Sequence, residues 1–291
     1  MRYRKITPYL FLLPMIVGLF VFRLGPIAAA VFASFTNWNV ATAPVFIGLG
    51  NFRELFASQY FWLVLRNTVV FILIFTPGVM ILAFIMAVLV NQKLKGIAFF
   101  RGLFFMPYVT TMVAIAMAFN WIFATRFGVL NSILTRWFNV SNPPAWLSSP
   151  TYALIAIAIV AIWKYSGFLM MIFLAGLQSI PADLYEAAEI DGANRLQQII
   201  QITLPLLSPV TFFAFIITVI DAFRTFDVTY AMTGGGPNFA STTLAYYVYQ
   251  NAFIYQRMGY ASAISMILLI LVAAATFVSF KLKDRLVTYA L

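Results

Sequence analysis

Long apolar runs, separated by short polar segments, set the pattern of this chain from Leu10 to Lys281. Six runs are long enough to cross a membrane: Leu10 to Phe35, Trp62 to Val90, Leu103 to Thr125, Tyr152 to Leu177, Thr211 to Met232 and Ala261 to Lys281. A hydrocarbon core of about 30 Å takes roughly 20 helical residues. The pattern predicts an all-α integral membrane protein with six transmembrane helices, organised as a single transmembrane domain over residues 1–291.

One polar stretch stands apart. Between the fourth and fifth runs, Glu186 to Pro209 reads EAAEIDGANRLQQIIQITLPLLSP. Glu186 to Ile190 predicts a short helix, Asp191-Gly192 a turn, and Ala193 to Thr203 a second helix that Pro205 ends or kinks. Gly192 is the pivot, because glycine takes positive φ without steric cost. A close neighbour is also expected there. Ala187, Ala188 and Ala193 leave thin helical surfaces against which another protein's backbone can approach. The result is a small knob with a docking shape; the plainer alternative is a solvated loop whose acids serve solubility.

Composition narrows the functions. Hydrophobic residues make up 63% of the chain and charged residues 9%, far from the balance of a soluble domain. Cysteine and histidine are both absent, which removes disulfides, thiol nucleophiles, thiolate metal sites and the commonest general base. No Gly-x-x-x-x-Gly-Lys segment occurs, so the chain has no P-loop and any ATP would be hydrolysed by a separate subunit. A basic start followed by an apolar run resembles a secretory signal, but the run continues past Arg23 towards Phe35 and reads as the first span.

The net charge of +10 follows topology and does not point to a nucleic-acid partner. Arg2, Arg4 and Lys5 precede the first span, Lys93, Lys95 and Arg101 separate the second from the third, and Lys281, Lys283 and Arg285 follow the last. The opposite connections carry Arg53, Arg126, Arg136 and Arg257. The positive-inside rule puts both termini in the cytoplasm, and with six spans the Glu186 loop is cytoplasmic too.

The polar stretch resembles the EAA loop of ABC importer permeases. That loop runs Glu-Ala-Ala, two variable residues, Asp-Gly-Ala, then Phe, Ile and a closing Leu-Pro. Glu186, Ala187, Ala188, Asp191, Gly192, Ala193, Ile202, Leu204 and Pro205 stand at the matching offsets, and Ile199 stands where the family usually has Phe. The likeness extends to Asn67-Thr68, Phe100-Arg101-Gly102 through Pro107, Gly128 to Asn131, Leu174 to Gln178 with Ile180-Pro181, and Met232 to Pro237. Together these are similar to the carbohydrate-type branch, which includes the maltose and glycerol-phosphate importers.

The resemblance implies a type I ABC importer permease fold in a bacterial or archaeal plasma membrane. Its partners would be two ATPase subunits that hold ATP and Mg, a second, non-identical permease, an external solute-binding protein and membrane lipid. The chain itself would carry no cofactor and no catalytic residue. Residues 178–208 would form the cytoplasmic coupling loop, with Glu186, Ala187, Ala188, Asp191, Gly192 and Ala193 against the ATPase.

Polar residues inside the spans are candidates for the pathway, since an ionisable group at the bilayer centre costs roughly 2.5 to 3.5 kcal/mol on insertion scales. In the fifth span, three-residue spacings place Asp221 near Arg224 and Arg224 near Asp227 on one helix face, beside Thr211, Thr218 and Thr225. Such a stripe suits a pathway, and equally a charge-compensated interface between permeases or an external end among headgroups. Asn120 with Trp121, and Lys164 with Tyr165 and Ser166, combine an aromatic surface with hydrogen-bonding groups, as sugar sites do. For Trp121 and Trp163, interface anchoring or packing is the stronger reading. Arg23, before Gly25-Pro26, reads as a snorkelling or kink feature.

The expected cargo is a mono- or oligosaccharide. A polyol or sugar phosphate stays open because Lys164 and Arg224 offer positive charge to an anion. From another class, an ion-coupled carrier or channel would use the acids of the fifth span as a relay, without an ATPase or a docking knob. A membrane-embedded enzyme lacks the residues for it.

Overall fold

The computed structural model describes residues 7–92 and 95–286. Arg2, Arg4, Lys5, Lys93 and the side chain of Arg285, which enter the charge asymmetry, lie outside the described residues. Fifteen α-helices follow in chain order among the described residues. They are α1 (Thr7–Leu19), α2 (Gly25–Ser34), α3 (Gly50–Ala57), α4 (Gln59–Val90), α5 (Ile97–Val109), α6 (Met112–Ile122), α7 (Val129–Phe138), α8 (Ala153–Gln178), α9 (Ala182–Ile190), α10 (Arg195–Gln198), α11 (Leu204–Leu206), α12 (Ser208–Phe223), α13 (Asp227–Met232), α14 (Leu244–Tyr249) and α15 (Met258–Leu286).

Four helical segments are individually long and apolar enough to span: Tyr9–Ser34, Gln59–Val90, Ala153–Gln178 and Met258–Lys283. Two bent helix pairs meet that requirement only together, α5 with α6 at 95° and the Arg195–Leu206 segment with α12 at 68°, so the described residues hold four candidate spans, and the expected six when each bent pair is counted as one. The third span expected from Leu103 to Thr125 is not one continuous helix. Thr110 and Thr111 are extended, with ψ of 139° and 140°, and the chain turns there. Pro107 lies one turn before, and the β-branched run Val109-Thr110-Thr111 suits extended backbone better than helix. The fifth expected span, Thr211 to Met232, also ends early: α12 stops at Phe223, Arg224 is its C-cap, and α13 starts anew at Asp227.

Two of the three π-turns sit just ahead of a proline. Phe20–Leu24 joins α1 to α2 before Pro26, and Ile199–Thr203 joins α10 to α11 before Pro205. A proline lacks the N–H and crowds the preceding turn's carbonyl, and the wider turn gives it room. Arg23 falls inside the first of these turns.

The chain forms two compact units. One holds the described residues up to Phe61 with Tyr247–Ile270; the other holds Trp62–Tyr246 with the described residues from Leu271 onward. In the first, Asn51 donates to the carbonyls of Ser34 and Thr36 at 2.8 and 2.9 Å, and Arg257 pairs with Glu54 at 2.6 Å while lying 4.5 Å over the Tyr260 ring. None of the apolar window of Tyr9–Ser34 is buried by this chain, as befits a helix whose surroundings are hydrocarbon.

The second unit is built around α8. Some 61% of its apolar window is buried, against 28% for α4, which makes it the central helix. Phe71, Phe75, Val79, Ala83 and Ala87 recur every fourth residue along α4 and join the α8 residues Ile157, Ala161 and Phe173 in one core. Arg101 donates to the carbonyl of Val90 at 3.0 Å, so a cation caps the C-terminal end of α4.

Candidate coupling knob and translocation route

The polar segment folds as a helix–turn–helix knob whose turn is fully hydrogen-bonded. α9 begins at Ala182, a turn earlier than expected, and ends in a Schellman motif: Gly192 N–H donates to Glu189 O at 3.1 Å and Ala193 N–H to Ala188 O at 2.9 Å. This closure needs a left-handed residue, and Gly192 has φ of +80°. The expected close neighbour is absent, since a Cβ built on Gly192 would meet no atom of this chain within 4 Å.

The second arm starts at Arg195 and not at Ala193, because Asn194 is its N-cap. Asn194 and Gln197 form a reciprocal capping box, at 3.0 Å from Gln197 N–H to Asn194 Oδ1 and 2.8 Å from Asn194 N–H to Gln197 Oε1. This arm runs through Pro205 to Leu206 by way of its π-turn. The hydroxyls of Tyr185 and Thr203, 3.0 Å apart, tie the two arms together.

Glu186, Ala187, Asp191 and Gly192 are exposed, with Ala188 and Ala193 half-buried. So are three large apolar residues of the knob: Ile190 is 87% exposed, Leu196 65% and Ile200 54%. A short polar loop that presents isoleucine and leucine outward has the surface of an unpartnered interface. Behind it, Tyr185, Glu189, Arg195 and Gln198 share a cavity of about 660 Å³ with Val88 and Asn91 at the end of α4.

The membrane candidates are gathered only in part. α13 packs on both α6 and α8, which brings together the helices that carry Asp227, Asn120 and Tyr165. Tyr165 is half-buried beside Tyr108 and Phe75, at ring separations of 5.9 and 5.7 Å. Asn120 Oδ1 is buried with no hydrogen-bond partner among the described residues. Ser166 is buried, and its hydroxyl donates to Trp163 O at 2.9 Å in its own helix. Trp121 is 61% exposed, as an anchor would be.

The polar stripe of the fifth span differs from expectation. Arg224 ends α12 and Asp227 opens α13, so the expected face is broken between those two, while Arg224 stays within a turn of Asp221 and donates its N–H to the Asp221 carbonyl at 3.1 Å. Among the described residues neither Asp221 nor Asp227 forms an ion pair with Arg224. Asp227 instead accepts the N–H of Val228 at 2.8 Å. Thr211, Thr218 and Thr225 each donate to the carbonyl four residues back, so their hydroxyls are engaged within the helix.

Two further groups carry roles that their residue types alone do not reveal. The Lys164 ammonium donates to the carbonyls of Pro107, Tyr108 and Thr110 at 3.3, 3.2 and 2.7 Å, so it is not free to meet an anion. Asn67 donates to Phe239 O and Thr242 O at 2.8 and 3.3 Å, and Thr68 Oγ1 accepts from Leu244 N–H at 2.9 Å. These two residues clamp the glycine-rich loop, where Gly235 has φ of +80° and an added Cβ would lie 2.4 Å from Thr242 Oγ1.

Comparison with known proteins places this geometry. The model of the family described as "Binding-protein-dependent transport system inner membrane component" matches residues 67–287. The probable ABC transporter permease protein YesP of Bacillus subtilis (strain 168) is 37% identical over 99% of this chain and 94% of its own length. The sulfoquinovosyl glycerol transport system permease protein SmoG of Agrobacterium fabrum is 35% identical, over 94% of this chain and 89% of that protein. The trehalose/maltose transport system permease protein MalF of Thermococcus litoralis is also 35% identical, over 97% and 95%. A chain of the crystal structure of a bacterial alginate ABC transporter, in complex with its alginate pentasaccharide-bound periplasmic protein, superposes with a TM-score of 0.84 at 21% identity, over 98% of this chain and 96% of that one. The fold is the all-helical one of type I ABC importer permeases.

Proposed function

The chain belongs to the binding-protein-dependent transport system inner membrane components, the permeases of ABC transporters, and on that premise we propose that it forms one side of a carbohydrate translocation route driven by separate ATPase subunits. The observation that carries this reading is the knob of α9 and α10. It is rigid by virtue of its Schellman closure and capping box, and it presents Ile190, Leu196 and Ile200 to a partner. In our reading Glu186, Ala187, Ala188, Asp191, Gly192 and Ala193 meet the ATPase on the cytoplasmic side, where both termini also lie. Two ATPase copies supply ATP and Mg chemistry, a second, non-identical permease completes the route, and an external binding protein delivers the solute.

A mono- or oligosaccharide is the cargo that the names of the relatives favour. Of the two cations that keep a phosphate open, the Lys164 ammonium is engaged by three carbonyls, which leaves the exposed Arg224 as the group that would meet an anion. The knob also separates this reading from an ion-coupled carrier, which has no need of a protein-docking loop. Asn120, Tyr165 and Asp227, on three packed helices, are the side chains we assign to the route, with Asp221, Arg224 and Ser166 at or behind its wall.

Purification and reconstitution test the proposal. The chain should co-elute with an ATPase, and proteoliposomes should accumulate sugar only with ATP inside and binding protein outside. Accumulation driven by an ion gradient, without ATPase, would overturn it.

A further inference from the structure

The break in the third span lies next to a lysine in the middle of a membrane helix. Lys164 is the twelfth residue of the 26-residue α8 and is 6% exposed. Among the described residues no carboxylate lies within ion-pairing distance of Nζ; its partners are the three carbonyls of Pro107, Tyr108 and Thr110. An ammonium has three N–H donors, and here each has one acceptor. Those acceptors are the C-terminal end of α5 and the first extended residue after it, the negative pole of a half-helix with carbonyls that the helix itself cannot satisfy.

Ion-coupled carriers hold a sodium ion or a proton at such half-helix ends and unwound carbonyls. We propose that the end of α5 is a monovalent-cation site that Lys164 fills with its own tethered ammonium, and that this cation sets the arrangement of α5 and α6 along the route. Lys164 is thus a positioning residue for translocation.

The docking of α5 on α8 does not rest on the lysine alone. Gly167 already brings the two backbones together, since a Cβ there would lie 2.0 Å from Phe104 O, and Tyr108 stacks on Phe168 at 4.6 Å. What Lys164 holds is the break itself. Its strongest contact, 2.7 Å to Thr110 O, falls on the residue from which the chain swings through 95° into α6, the helix that carries Asn120. The neighbouring Tyr165 packs against Tyr108, so the same contact fixes the aromatic side of the route.

The positioning half of this inference rests on the reading of the chain as a transport subunit, and the cation-site half does not; the test separates them. Lys164→Ala opens the site, and the assembled complex is heated with and without methylammonium, which has three donors, or tetramethylammonium, which has none. The expected result is a fall in melting temperature of several degrees that methylammonium restores and tetramethylammonium does not, while wild type responds to neither. Absence of selective rescue in an assembled Lys164→Ala complex overturns the cation site. If that variant does not assemble, Lys164→Arg should retain more assembled complex than Lys164→Met, and equal loss overturns it.

For positioning, uptake per assembled Lys164→Ala complex should drop at least tenfold and recover with methylammonium. Restored stability without restored uptake overturns the positioning role. No ATP-driven uptake by wild type would count instead against the proposed function.

Discussion

The turn of the knob allows the cost of a substitution to be divided between this chain and its partner. Gly192 has φ of +80°, and a Cβ at that position meets nothing within 4 Å, so the chain itself opposes a side chain only through backbone conformation. For an L-residue other than asparagine or aspartate the left-handed conformation costs about 1–2 kcal/mol. That corresponds to roughly a 5- to 30-fold loss in the population of the closed turn. Gly192→Asn should lose less, because its short polar side chain tolerates this region.

Within this chain, alanine and leucine should cost about the same, since the Cβ meets no atom and the turn is exposed. Thermal unfolding of the purified permease should therefore rank Gly192→Asn above Gly192→Ala, with Gly192→Leu equal to Gly192→Ala. Sugar uptake and binding-protein-stimulated ATP hydrolysis by the full complex should instead place Gly192→Leu well below Gly192→Ala, the difference being contact with the ATPase. If leucine and alanine transport equally, no partner approaches the turn. If asparagine is as harmful as alanine, the conformational argument fails.

Two other expectations follow from the same residues. Because the chain has no cysteine, single cysteines at the exposed Ser141 and Asn194 can be labelled without background; the first should react with an impermeant reagent outside intact cells and the second only after permeabilisation, and the reverse pattern would invert the topology. Asp221→Asn and Arg224→Gln should show only the weak coupling of neighbouring charges that are not in contact, below about 1 kcal/mol on uptake per complex in a double-mutant cycle; a larger coupling would show that assembly draws the two charges into an ion pair.

The spans that hydropathy located best are those whose whole path is helical. The second was expected from Trp62 to Val90 and runs from Gln59, and the fourth was expected from Tyr152 to Leu177 and runs from Ala153 to Gln178. Hydropathy measures the transfer of side chains and says nothing of the backbone's direction, so Val109-Thr110-Thr111-Met112 reads as more of the same span while the chain turns through 95°. The partner that makes this turn tolerable in hydrocarbon is Lys164, more than fifty residues away, and an unsatisfied carbonyl there would cost several kcal/mol.

The positive φ of Gly192 was legible because glycine after a short helix has a local cause. The start of the second arm was misread by two residues, although Asn194 and Gln197 carry the spacing of a capping box with asparagine as the cap. The stripe of charges failed for a different reason: three-residue spacing implies a shared face only while the helix continues, and α12 ends at Phe223.

α4 gives the knob a mechanical reach that its small size does not suggest. Val88 lines the cavity behind Tyr185, Glu189 and Arg195, while Asn67 and Thr68, some twenty residues earlier on the same helix, hold the glycine-rich loop. At 1.5 Å per residue those points are about 30 Å apart, roughly the thickness of the hydrocarbon core. One continuous helix therefore joins a station behind the knob to a station at the glycine-rich loop. Pro77 lies near its midpoint, where the missing N–H removes one rung of the hydrogen-bond ladder between the two stations.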